Sequence, residues 1–418
     1  MKPSVAVIGS GVSGLVAAYV MRDQFDVTLL ERDDRFGGHA HTHSVETPEG
    51  LIRVDSGFIV HNKRTYPTLL RIFDELQIAT QPTEMSMSIR CDGCGLTYAG
   101  GRGAKGILAQ PWRVFDPRFV RMMIEVPKFH REAQKVLEDS SVEEMTWGEF
   151  LQRGKYSQYF IRHFAVPLVS CVWSSGDDTA VEYPAKYLFA FLRNHGMLSV
   201  GGSPAWRTVT GGSNMYVAKI LSQIPNAHTK NGVKSVRRHE DHVDVTTDDG
   251  KTTRYDYVVI ATHANAALSM LADATDAERA DLSAITYSPN DTWLHTDESI
   301  MPSAAAAKAS WNYRIPTCDA SVESVQVTYW MNKLQSLPTS KQLLVTLNPA
   351  GEVDSQKLIA RMSYEHPVFT KAGIAAAARL QNAGGPRLAF AGAHFGWGFH
   401  EDGAKSGLEA ATKLGAKW

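Results

Sequence analysis

Cysteine is scarce, the two signs of charge cancel, and no apolar run escapes interruption. Four cysteines in 418 residues cannot supply the disulfide framework of a secreted scaffold, so a reducing cytoplasm is the expected compartment. Forty-three Lys and Arg against 44 Asp and Glu leave a formal charge of −1. Such a chain has no overall field to draw it to nucleic acid or to an anionic membrane. Residues 3–21 carry no charge and follow Lys2, the outline of a signal peptide or a spanning helix. Gly9, Gly11 and Gly14 break that run and no small-residue cleavage site follows. A strand, a tight turn and a helix are expected there instead. No other stretch reads as transmembrane, and internal repeats and low-complexity linkers are absent.

What remains is an ordinary globular composition, 44% hydrophobic and 21% charged, with length for two or three domains. "SVAVIG" from Ser4 reads as a strand, "GLVAAYVMRDQ" from Gly14 as a helix and "DVTLLE" from Asp26 as a second strand. Together they make a β-α-β unit. Residues 232–262 read as three strands with an Asp-Asp-Gly turn at 248–250. "RLAFAG" from Arg387 is a further strand and "HEDGAKSGLEAATKLG" from His400 a final helix. Helical periodicity marks 117–137 and 143–163. "SVQVTYWM" and "QLLVTLN" read as strands, and a helix is expected near 354–362. The simplest assembly is an α/β chain with a Rossmann-like cofactor domain in three pieces, 1–62, 211–284 and 376–418. An α+β substrate domain, 63–210 and 285–375, is inserted between them.

Gly9-x-Gly11-x-x-Gly14 follows a strand and opens a helix. The first glycine allows the turn, the second lets backbone approach a pyrophosphate, and the third lets helix pack on strand. Phosphate then meets the N–H groups and positive end of the helix, with Ser10, Val12 and Ser13 in the same turn. Glu31, with Arg32 beside it, ends the second strand, where a carboxylate accepts hydrogen bonds from an adenosine ribose. Gly37-Gly38 follows. A simple nicotinamide domain does not need this second glycine pair. A longer cofactor does, because the chain must run close to its ribityl and flavin portions, so FAD is expected.

On these residues the sequence resembles the flavin-dependent amine oxidase superfamily, which includes protoporphyrinogen oxidase and phytoene desaturase. The resemblance implies that Asp55-Ser56-Gly57-Phe58 runs along the isoalloxazine and that Val233 holds the adenine side. It implies that His39 contacts the cofactor, that Ala261-Thr262 ends a cofactor-domain strand, and that "GAHFGWGFHEDG" from Gly392 carries the flavin on a helix N-terminus. Longer stretches, among them "DSGFIVHNKRTYPTLL", "HGMLSVGGSPAWRTVTGGSNMYV" and "VTYWMNKLQ", resemble predicted FAD-binding proteins found beside cyclopropane-fatty-acid synthases. They are also similar to the flavin domain fused ahead of that synthase in plants. This implies an association with unsaturated, methylated or cyclopropanated acyl chains, and a lipid methyltransferase or cyclopropane synthase as a partner. Two departures count against amine oxidation. Phe399 stands where an aromatic cage commonly has tyrosine, and Ala393 where a ribityl-contacting glutamate is common.

The candidate catalytic residues are His61, Phe399 and His400, and the candidate FAD contacts add Gly392 and Asp402 to those above. Backbone N–H groups at 400–402 can stabilise negative charge developing on a reduced flavin; Glu401 and Asp402 also suit an ordinary helix start. Trp173, Trp206, Trp311, Tyr329, Trp330, Phe395 and Trp397 are candidates for the wall of an apolar tunnel, or core. His39, His41 and His43 alternate onto one face, where three imidazoles could make a zinc site or an acid/base relay. The plainer reading is His39 alone at the cofactor, and Cys91-Asp92-Gly93-Cys94 reads as a hairpin turn, so no metal is expected. Pro111–Leu137 mixes Arg and aromatics in the manner of a helix packed on the domain, or of peripheral membrane contact. The expected activity is hydride exchange with a carbon of an apolar or lipid substrate. An amine oxidase and a non-catalytic, flavin-bearing partner of a lipid methyltransferase are the alternatives.

Overall fold

The side chains of Val5 and Val7 face one way along their strand and those of Ala6 and Ile8 the other, and each pair is buried in a different cluster. A strand covered on both faces belongs inside a parallel sheet. The computed structural model, which describes residues 1–139, 141, 144–199, 201–318, 324–349 and 351–418, places it there. Ser4–Ile8 lies at the centre of a five-stranded sheet ordered 226–228, 26–30, 4–8, 257–260 and 388–390, and every pairing is parallel. Helices Val12–Met21 and His400–Lys413 contribute Leu15, Val16, Ala404 and Ala411 to the Val5 and Val7 face. The opposite face packs on an antiparallel meander of Val233–Arg238, Val243–Thr247 and Thr252–Tyr255 through Val236, Val243 and Val245.

Two expectations change here. Residues 232–262 form four strands, not three. Tyr257–Ile260 leaves the meander to pair in parallel with Val5 through Ile8. The helix expected near 354–362 is a short 3₁₀ turn, Ser355–Lys357, followed by the strand Leu358–Val368. That strand pairs antiparallel with Thr286–His295 along its length, and the ladder overrides the local helical preference.

The second large sheet has seven strands, ordered 358–368, 286–295, 344–347, 327–330, 311–315, 87–91 and 97–100. Cys91-Asp92-Gly93-Cys94 turns the last two into a hairpin, as its sequence suggests. Helices cap this sheet. The longest, Pro117–Glu138, buries Phe119, Met122, Phe129, Ala133 and Val136 on one stripe. Position 143, the expected start of the next helical stretch, and Val200 of the quoted glycine-rich stretch lie outside the described residues. From Trp147 the chain is helical in short pieces, among them a π-turn at Ile161–Ala165. Among the described residues no helix is long and apolar enough to cross a membrane.

Candidate functional site

Backbone proximity explains the glycines. Gly9 has φ +97° and donates its N–H to the Leu30 carbonyl at 2.8 Å, and a Cβ on it would meet the Ala261 carbonyl oxygen at 2.7 Å. A Cβ on Gly14 would stand 1.8 Å from the Gly9 oxygen, whereas one on Gly11 would meet nothing within 4 Å. The turn is therefore sealed behind and open in front. Gly37 and Gly38 have φ +113° and +56°, and a Cβ on Gly38 would meet Gly11 Cα at 3.0 Å. The second glycine pair thus crosses directly over the first turn. Glu31 accepts from the Ser10 N–H and hydroxyl at 2.8 and 2.5 Å and from the Asp33 N–H at 2.9 Å. Asn231 N–H donates to the Glu31 carbonyl at 2.9 Å, bringing the approach to Val233 alongside. Arg32 is 79% exposed and leans toward Asp33.

The last helix converges on the same turn. A Cβ on Gly403 would meet Val12 at 2.6 Å and Ser13 Oγ at 3.0 Å, and one on Gly407 would meet the Ser13 carbonyl oxygen at 2.2 Å. Two helix N-termini thereby face one region. Gly392 donates its N–H to Ser406 Oγ at 3.0 Å, and the Thr262 methyl stands 3.1 Å from where a Gly9 Cβ would be. Within this region Arg35 Nη1 and His39 Nε2 are buried with no hydrogen-bond partner among the described residues. Unpaired buried donors beside open backbone N–H groups fit a bound phosphate-bearing cofactor.

At the other end, Asp55 is fully buried and accepts from the Thr42 and Ser213 hydroxyls at 2.5 and 2.8 Å, the Ser213 N–H at 2.9 Å and Gln335 Nε2 at 2.9 Å. Burial outweighs these donors and pushes its carboxyl up to about 6. Gly57 lies where a Cβ would sit 2.2 Å from the His39 carbonyl oxygen, and Phe58 N–H donates to that oxygen at 2.7 Å. The Phe58 ring stacks on His400 at 3.8 Å, and His400 Nε2 is hydrogen-bonded to the Tyr216 hydroxyl at 2.6 Å. Burial, reinforced by His61, lowers His400 to about 3. His61 is buried with both ring nitrogens unpartnered among the described residues, and burial lowers it to about 4. The two candidate histidines are neighbours, and both are neutral near pH 7.

Phe399 stacks on Phe191 at 4.8 Å, with His195 at 5.9 Å and Trp173 at 6.4 Å. Trp397 joins the group 5.9 Å from Phe191, and Trp206 stacks on His195 at 6.3 Å. Trp173 Nε1 donates to the Trp397 carbonyl at 2.9 Å, fixing this loop. Of the other aromatic candidates, Trp311 and Tyr329 pair edge-on in the large sheet, Trp330 packs near Ile300 and Leu344, and Phe395 packs beside His394. The acids here serve the backbone. Asp402 accepts from Phe399 N–H at 2.9 Å, and Glu401 caps the Pro67–Glu75 helix through Thr68 and Leu69 N–H at 2.8 and 3.0 Å. Burial raises Asp402 to about 6 and raises Glu401 as well.

A polar cluster went unread in the sequence. Tyr364 hydroxyl bonds to His41 Nδ1 at 3.0 Å and Ser56 Oγ at 2.7 Å, and Ser56 Oγ bonds to His43 Nε2 at 2.8 Å. His39 instead faces Tyr364 and His366, at 4.9 and 5.6 Å. His41 and His43 lie 4.0 Å apart, and Tyr364 links them to His39. Tyr287 hydroxyl reaches His394 Nδ1 at 3.0 Å. Tyr364 and His366 are two apart on one strand, and that alternation was the available signal.

A parallel-sheet dinucleotide fold, with a second glycine pair and a C-terminal helix closing over the turn, defines a flavoprotein class. Residues 12–349 match the family of flavin-containing amine oxidoreductases, and the chain belongs to it. Its cofactor is FAD. Polyamine oxidase 3 of Oryza sativa is 27% identical over 271 residues, 62% of this chain and 51% of that protein. The match thus spans about half the length of this relative. A probable polyamine oxidase 4 of Arabidopsis thaliana is 56% identical over 43 residues, 10% of this chain and 9% of that protein. Among solved structures, a putrescine oxidase bound to putrescine superposes with TM-score 0.72 at 13% identity over 100% of both chains. A CLA-producing fatty acid isomerase from P. acnes gives 0.67 at 16% identity over 99% of both.

Proposed function

We propose that the protein is an FAD-dependent oxidoreductase acting on an apolar chain, a fatty acyl group of a lipid. The observation that carries this reading is the uncharged aromatic wall at Phe399. Phe191, Trp173 and Trp397 surround it, and the adjacent acids Glu401 and Asp402 are occupied by backbone N–H groups. A protonated amine would enter this wall without a free carboxylate, at a desolvation cost that an alkyl chain does not meet. The glycine turn, Gly37–Gly38, Glu31, Gly57–Phe58 and the start of the last helix would hold FAD, whose isoalloxazine supplies hydride exchange at N5. The Phe399 wall positions the chain and excludes water. His61, neutral and with an unpaired ring nitrogen, accepts or returns a substrate proton in desaturation, reduction or isomerisation. His400, tied to Tyr216, holds its ring against Phe58. The resemblance to proteins found beside cyclopropane-fatty-acid synthases and the fold shared with a fatty acid isomerase support the acyl reading.

Entry from a lipid surface fits the exterior. Trp112, Phe115 and Ile124 are 62%, 87% and 66% exposed beside Val114 and Val120, with Arg118 and Arg121 at the edge. The patch is apolar and its edge arginines are paired to Asp116 and Glu125, which suits a lipid interface without selecting headgroup charge. The amine-oxidase reading has in its favour the polyamine oxidase relatives and the fold shared with a putrescine oxidase. Incubating the holoprotein with vesicles of unsaturated phospholipid and, separately, with polyamines distinguishes the two. The expected result is a changed number or position of acyl double bonds by mass spectrometry, with Phe399→Ala raising the lipid KM about tenfold. Peroxide and aldehyde from polyamines, with unchanged lipid, would overturn it. Unchanged lipid, silent amines and a stable complex with a lipid methyltransferase would assign the non-catalytic partner role.

A further inference from the structure

Three of the four cysteines meet at one point of the fold. Cys91 ends the Met87–Cys91 strand, Cys94 lies in the hairpin turn, and Cys318 follows the neighbouring Trp311–Ile315 strand. His163 comes from the π-turn above them. Their ligand atoms all lie within 4.8 Å of one another. Cys91 and Cys318 Sγ are 3.4 Å apart, His163 Nε2 is 3.5 Å from Cys94 Sγ and 3.8 Å from Cys318 Sγ. We infer that Cys91, Cys94, His163 and Cys318 form a tetrahedral Zn²⁺ site of the Cys₃His type.

The three separations of 3.4, 3.5 and 3.8 Å are close to those of a tetrahedron, and the remaining three lie within 4.8 Å. Zn–S and Zn–N bonds of about 2.3 and 2.0 Å place sulfur atoms about 3.8 Å apart and sulfur and nitrogen about 3.5 Å apart. A disulfide would need a separation of about 2.05 Å, and none of the four cysteines is in one. The surroundings are organised for thiolate and imidazole ligands. His163 Nδ1 is hydrogen-bonded to the Tyr159 carbonyl at 3.0 Å, which fixes the proton there and leaves the Nε2 lone pair aimed at the sulfurs. Backbone N–H groups of Cys94 and Leu96 donate to the sulfurs of Cys91 and Cys94. The turn that aims them requires glycine twice. A Cβ on Gly93 would meet the Cys318 nitrogen at 2.8 Å, and Gly95 has φ +69°. Three thiolates and Zn²⁺ leave one net negative charge, and Arg113 donates to the Cys94 carbonyl at 2.7 Å beside it. Thiolate-rich tetrahedral sets select zinc over hard cations, and a set with four protein ligands is structural. Here the ion would pin the end of the large sheet to its helical cap. The pair reads as a simple turn in the sequence because its partners stand 69 and 227 residues away. No residue is shared with the flavin site.

Metal analysis of the holoprotein, grown with added zinc and purified without chelator, tests the inference. The expected result is about one zinc per chain, which cobalt replaces with a thiolate-to-metal charge-transfer band and tetrahedral d–d bands. Cys94→Ser and His163→Gln should carry at least about tenfold less zinc, with FAD still bound. Should either variant fail to fold, the zinc content and cobalt spectrum of the unaltered protein decide. Zinc far below one per chain, iron in its place, or a Cys91–Cys318 disulfide in peptide mapping would overturn the assignment.

Discussion

Asp55 accepts at both oxygens and meets only donors there, a setting that an amide cannot match. Gln335 cannot turn its own amide to compensate, because its Oε1 already accepts the Asp55 N–H at 2.8 Å. Asp55→Asn therefore places an NH₂ group against a donor in the buried interior. It should cost about 1–3 kcal/mol in a denaturant titration, and an unchanged midpoint would show that the network carries little energy. At this scale much of the site was legible. Gly9, Gly11, Gly14, Gly37 and Gly38 announce their roles by spacing and position. Tyr216, Tyr364 and His366 did not, because each acquires meaning only from a partner brought in by the fold: His400, Ser56 and His39 respectively.

Elements reach the site by capping one another. Glu401, in the first turn of the last helix, satisfies the first N–H groups of the Pro67–Glu75 helix and so ties two segments together. Glu401→Ala should lower stability by about 1 kcal/mol and loosen FAD, measured as faster flavin release on dilution. Unaltered release would separate the cap from the cofactor site. The strands of the first β-α-β unit were readable because buried parallel strands are continuous apolar runs. The Leu358–Val368 strand was not, since Ala, Arg and Met in its first half suit a helix. Its alternation of half-buried and exposed positions follows from pairing with Thr286–His295.

For the whole molecule, buried neutral histidines set the response to acid. His41, His394 and His400 are lowered to about 3, and His43, His61, His195, His295 and His366 to about 4, burial being the first cause in each. The unfolded chain takes up protons on these residues below about pH 6.5 while the folded chain does not. Their contribution is complete above that pH and is lost as pH falls toward 4 and 3. Asp55 and Asp402, raised to about 6, act in the opposite sense between pH 4 and 6 but are outnumbered. The melting temperature should therefore fall steadily from pH 6.5 to 4; a flat profile would contradict the neutral assignment of the histidines.

The proposed function puts an alkyl chain, not an amine, against the flavin. The direct measurement is anaerobic. The absorbance of the bound flavin near ~450 nm is followed while unsaturated phospholipid vesicles or polyamines are added to separate samples. The lipid should bleach or shift the flavin band, and polyamines should leave it unchanged. Bleaching by polyamines with no response to lipid would contradict it.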